Sequence, residues 1–112
     1  MQKVNIKVKI IPDFPKEREY NGLINNEILS YKEKDTKVDI DLKKCIVTRE
    51  DNEKIIIINY DNEVINLNLK GYNYEIDIPI EKIKKDIHDK YLNIKYRVED
   101  KIVEYILEYE VI

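Results

Sequence analysis

The sequence predicts an all-β protein: an antiparallel up-and-down meander that closes into a barrel of eight to ten strands. Three observations lead there. The chain holds 21 Ile and 9 Tyr but no Ala, so strand formers abound and the best helix former is missing. Turn-like pairs recur every nine residues, at Asn25-Asn26, Lys34-Asp35, Lys43-Lys44, Asn52-Glu53, Asp61-Asn62 and Lys70-Gly71. Between them lie seven-residue segments rich in Ile, Val, Leu and Tyr, the grammar of strands joined by two-residue hairpin loops.

Side-chain parity supports this register, because successive strand residues face opposite sides of a sheet. Val4, Ile6, Val8 and Ile10 form one face of a first strand, with Lys3, Lys7 and Lys9 opposite. Residues 12–17, with two of the three prolines, read as a loop. The Lys34-Asp35 turn sets Tyr31 against Val38 and Leu29 against Ile40, and Lys43-Lys44 sets Val38 against Arg49 and Ile40 against Val47. Lys43-Lys44 suits a tight turn poorly, so a wider one is expected there. Asn52-Glu53 sets Val47 against Ile58, Asp61-Asn62 sets Ile58 against Ile65, and Lys70-Gly71 sets Leu67 against Tyr74. Near the end, Asp100-Lys101 sets Tyr96 against Tyr105. Every hairpin gathers its apolar residues on one face. The beat fails over residues 81–88, where a bent or bulged continuation strand is preferred to a short helix. Closing the sheet hides the shared apolar face and removes the edges.

Composition bounds the rest. With 112 residues the chain reads as one domain, 1–112. The single cysteine, Cys45, rules out an internal disulfide. The first eleven residues lack the roughly 7–15 residue apolar stretch of a signal peptide, and no run approaches the ~20 residues of a membrane span. The expected setting is therefore the cytoplasm, with no membrane span. A net charge of −3 and only three arginines argue against nucleic acid as a partner.

Three segments carry a family resemblance: Tyr20-Asn21-Gly22-Leu23 running into Leu29-Ser30-Tyr31-Lys32-Glu33, then Val47-Thr48-Arg49, then Ile94-Lys95-Tyr96-Arg97-Val98. Together they resemble the YwiB-like family of small bacterial proteins with a calycin or lipocalin-like barrel. The resemblance implies that fold and a soluble bacterial protein, and it implies no activity. Asp51 departs from it, standing where members often carry glycine, which bears on the geometry of the turn that follows.

Catalytic chemistry finds little footing. His88, the only histidine, lies in an expected turn, His88-Asp89, and Ser30, the only serine, faces outward. Neither a nucleophile–base pair nor a metal cluster can be assembled, so no enzyme, cofactor or metal is expected. No glycine-rich phosphate loop is possible with only Gly22 and Gly71. Cys45 points inward as a small apolar residue.

Arg49 is the exception, an inward guanidinium among apolar neighbours, which needs a partner. Glu27 and Glu63 share the inward parity. Tyr20, Tyr31, Tyr60, Tyr72, Tyr74, Tyr96, Tyr105 and Tyr109 also project inward, either filling the barrel or lining a cavity. Two functions follow. In the first, the barrel binds a small, partly apolar ligand, with Arg49 on its anion and Tyr31, Tyr60, Tyr74 and Tyr96 as walls and hydroxyl contacts. In the second, the core is filled and the chain acts as an interaction module or homodimer through an outer apolar patch of Ile46, Ile55, Ile57 and Val64.

Overall fold

The computed structural model describes residues 1–112. Eleven strands follow one another: β1 (Gln2–Ile11), β2 (Phe14–Asn25), β3 (Ile28–Glu33), β4 (Thr36–Asp41), β5 (Ile46–Glu50), β6 (Lys54–Asn59), β7 (Val64–Leu69), β8 (Tyr74–Pro79), β9 (Glu81–His88), β10 (Tyr91–Val98) and β11 (Lys101–Val111). All lie in one antiparallel sheet, in the order β8-β7-β6-β5-β4-β3-β2-β1-β11-β10-β9. No helix is long and apolar enough to cross a membrane.

The two ends of the sheet are the two halves of one bent strand, because only Ile80 separates β8 from β9. Its first half pairs with β7 and its second with β10, so the sheet curls into a nearly closed barrel. Residues 81–88 are thus the expected bent continuation strand. The pairing skips Ile83 between Lys82 and Lys84, a bulge opposite Lys95 and Tyr96. Counting both halves gives eleven strands.

The β6–β7 turn seals the bend. Ile80 donates its N–H to Glu63 O at 3.0 Å, and Lys82 donates its own to Glu63 Oε2 at 3.3 Å. Lys85 Nζ reaches Asp61 Oδ1 at 2.9 Å. The Tyr60 hydroxyl, on a residue only 1% exposed, lies between the carbonyls of Lys84 and Lys95 at the bulge. Both carbonyls belong to the cross-strand pair next to the bulge, so the hydroxyl ties β6 to β9 and β10 where their ladder is irregular.

Inside, nineteen buried residues form one apolar cluster. Val4, Ile6, Leu29, Val38, Ile40, Leu92 and Leu107 are fully buried. A Cβ on Gly22 would lie 2.5 Å from Ser30 O and 2.6 Å from Ile6 Cδ1, so only glycine lets β1 and β3 close over β2 there.

Four of the expected hairpin registers match, giving Tyr31 with Val38, Val38 with Arg49, Val47 with Ile58 and Ile58 with Ile65. The Lys43-Lys44 turn is widened, as expected: Leu42–Cys45 form it, with Cys45 at φ 55°. Three turns are displaced by one residue. Asn26-Glu27 replaces Asn25-Asn26, so Ile24 faces Leu29. Glu99-Asp100 replaces Asp100-Lys101, so Tyr96 faces Val103 rather than Tyr105. A four-residue turn, 70–73, replaces Lys70-Gly71, so Leu67 faces Ile76 rather than Tyr74. In each case the residue at positive φ chooses the turn: Asn26 (59°), Glu99 (55°), and Gly71 with Asn73 (81° and 46°). Likewise His88 ends β9, and the turn is Asp89-Lys90, with Lys90 at φ 61°. The 12–17 loop shrinks to a turn at Pro12-Asp13, because β2 starts at Phe14.

Removing the Tyr60 hydroxyl while keeping its ring isolates the seal. Tyr60→Phe is expected to cost about 1 kcal/mol in urea unfolding, through loss of the hydroxyl's contacts with the Lys84 and Lys95 carbonyls. Tyr72→Ala, at a residue 80% exposed, is expected to change stability by less than about 0.5 kcal/mol.

Candidate functional site

Arg49 stands at one end of the barrel, on β5, and its partner is Glu33 at the end of β3. The two chains reach each other because Tyr31, Val38 and Arg49 lie in one row across β3, β4 and β5, and Glu33 is the next inward residue after Tyr31. The pair is bidentate: Nη2 to Oε2 at 2.7 Å and Nη1 to Oε1 at 3.3 Å. Its side chains are only 21% and 14% exposed. Burial opposes the charge on Arg49, but the hydrogen bonds and charge of Glu33 outweigh it, so the guanidinium pKa rises. Breaking such a shielded pair strands a charge.

A tyrosine chain extends the pair inward. The Tyr31 hydroxyl donates to Glu33 Oε1 at 3.2 Å, and the Tyr31 and Tyr105 hydroxyls lie 2.9 Å apart. Burial pushes Tyr105 up to about 12 and Tyr96 up to about 12, and it raises Tyr31 further, with Tyr105 adding to the effect. Tyr20 stacks on Tyr31 with ring centroids 5.1 Å apart.

Outside the pair lies a cavity of about 670 Å³, open to solvent. Phe14, Arg18, Tyr20, Thr36 and the Arg49–Glu33 pair form its walls, with Lys34, Asp35, Asp51 and Glu53 on the rim. The Arg18 guanidinium lies over the Phe14 ring, its Cζ 4.1 Å from the centroid, and makes no ion pair. Asp51 is occupied: it accepts the N–H groups of Glu53 and Lys54 at 2.8 and 2.9 Å and pairs with Lys54 Nζ. Those bonds hold its carboxyl down at about 2, the Glu53 N–H foremost. The Asp51 side chain thus builds the β5–β6 turn through hydrogen bonds, with no residue there at positive φ.

The structure brings Arg49, Tyr31 and Tyr96 toward this end of the barrel and separates the other two candidates. Tyr60 sits at the seal, its hydroxyl committed to backbone. Tyr74 does not line the interior: it is 46% exposed on β8, and Tyr72, in the displaced turn, is 80% exposed. Glu27 and Glu63 are both exposed in turns, so neither serves Arg49. Glu33 was missed beside the Lys34-Asp35 turn, although it shares the parity of Leu29 and Tyr31. Phe14 falls inside residues 12–17, which read as loop, and Arg18 follows them with no sequence signal that it faces a cavity. Cys45 is buried, and burial pushes its thiol up to about 11. The outer patch is half-buried, with Ile46, Ile57 and Val64 set diagonally among Thr48, Asn59 and Asn66. No family model and no curated protein matches the chain.

The raised tyrosines set an alkaline limit. A folded pKa of about 12 against an ordinary 10.0 for Tyr96 and Tyr105 means that stability is complete below pH 10 and declines as pH rises toward 12. Tyrosinate absorbance and far-ultraviolet circular dichroism recorded together are expected to show these hydroxyls ionising only as the fold is lost.

Proposed function

We propose that the chain is a non-catalytic binding protein whose site is the open end of the barrel rather than its interior. The middle of the barrel is filled by side chains, whereas the cavity outside Arg49 and Glu33 is large enough for a small molecule. The observation that carries the reading is Arg18: a cation stacked on an aromatic ring, facing that cavity, with no carboxylate of its own. Glu33 and Asp51 are neutralised by Arg49 and Lys54. The charges left free on the wall and rim are Arg18 and Lys34 against Asp35 and Glu53. That set suits a compact ligand with a planar ring, an anionic group for Arg18 and a cationic group toward the rim carboxylates. The Arg49–Glu33 pair then acts as a rigid polar floor that separates the ligand from the apolar core.

This reading keeps the anion-binding idea and moves it from Arg49 to Arg18. Kinship with the YwiB-like calycin barrels is proposed alongside, on the segments that resemble that family, and brings no activity with it.

Free phenylalanine, a ring bearing both charges, is the probe, followed by amide NMR on isotope-labelled protein. Shift changes are expected over residues 14–20, 33–36 and 49–53. Arg18→Gln is expected to weaken binding by about tenfold or more, with Tyr74→Ala neutral. Rim amides that stay unmoved, or an Arg18→Gln protein that binds like the parent, would overturn the reading. So would binding of sodium laurate with shifts centred on Leu29, Ile94 and Leu107, which would return the site to the interior.

A further inference from the structure

The two terminal strands of the sheet are treated very differently by the fold. The free side of β9 is guarded by the β6–β7 turn, where Glu63 accepts the Lys82 N–H and Asp61 pairs with Lys85, and the bulge at Ile83 interrupts the strand. The free side of β8 has no such guard. Only β7 lies beside β8 in the sheet, so alternate N–H and C=O groups of residues 74–78 face away from any partner strand. No lysine or bulge interrupts residues 74–78, and Pro79 blocks only the last position. Such an edge is a template for another strand.

Its side chains describe what would fit. On the inner face Tyr74 and Ile76 are 46% and 40% exposed, with half-buried Leu67 and Leu69 beside them. On the outer face Glu75 and Asp77 stand side by side, both accepting from Asn66 Nδ2 at 2.8 Å. Neither makes an ion pair with a lysine or arginine. The edge therefore offers an apolar row on one side and an acidic row on the other.

We propose that β8 captures an extended segment of another protein, one alternating apolar and basic residues, by adding it as a further antiparallel strand. The apolar residues would cover Tyr74 and Ile76, and the basic ones would face Glu75 and Asp77. A second copy of this chain fits poorly. Two β8 strands paired about Ile76 would set Glu75 against Asp77 twice, and like charges directly opposite destabilise a strand pair. The site is separate from the barrel mouth and stands without the ligand reading.

A capped octapeptide alternating Val and Lys is the probe, titrated into isotope-labelled protein. Amide shifts confined to residues 64–79 are expected, with binding that weakens as salt is raised. The double variant Glu75→Lys with Asp77→Lys, at two exposed positions, is expected to lose about tenfold or more in affinity. The milder Glu75→Gln with Asp77→Asn gives the same direction should the first variant misfold. A Val–Glu octapeptide is expected not to bind. The proposal is overturned if the Val–Lys peptide leaves β7 and β8 unmoved, binds the neutralised and reversed variants as tightly as the parent, or shifts the mouth residues instead. It is also overturned if the chain alone dimerises through β8.

Discussion

The barrel depends on a single strand serving both ends of the sheet. A ten-strand meander left flat would expose its whole apolar face, and closing it normally requires a first and last strand that pair along their length. Here β1 and β11 pair in full, so the gap falls mid-chain, at the bend between β8 and β9. The β6–β7 turn bridges that gap with backbone and side chain together, and the Tyr60 hydroxyl ties it to the Lys84 and Lys95 carbonyls beside the bulge. Everything around the seal follows from this arrangement. The interior packs tightly on the Tyr60 side, and the other half of the strand, β8, is left with inward-parity residues that reach solvent.

Side-chain facing was legible in the sequence almost throughout, and pairing partners were not. The displaced turns show why. Moving a two-residue turn by one position changes every cross-strand partner by two, and two residues is one full strand period. Tyr96 therefore still points inward whether it faces Tyr105 or Val103, and the hydrophobic pattern is blind to the difference. What decides the turn is which residue accepts positive φ. Asn26 and Gly71 are residues suited to it, but Glu99 and Lys90 are not obvious candidates. Exposure at β8 was beyond parity altogether. Tyr74 and Ile76 have the inward phase, but phase says nothing about whether a sheet has a neighbour to bury them.

The site shows the same division. An inward arginine required a partner, and that requirement could be read from Val38, Arg49 and Ile56 alone. The partner's identity turned on strand-end residues, where Glu33 lies beside a turn and looks free to reach water. The consequence for function is large. An Arg49 without a partner would have invited an anion into the barrel, whereas a bidentate Arg49–Glu33 pair closes the core and leaves recognition to Phe14, Arg18 and the rim. Phe14 and Arg18 belong to β2, whose first residues two prolines disguised as a loop.

Amide hydrogen exchange resolved along residues 60–98 tests the asymmetric closure most directly. The account predicts slow exchange at Ile80 and Lys82, whose N–H groups are held by Glu63, beside fast exchange at alternate amides of residues 74–78. Uniformly slow exchange across β8 would mean that the edge is covered and the barrel fully closed. Fast exchange at Ile80 and Lys82 would mean that the seal does not form.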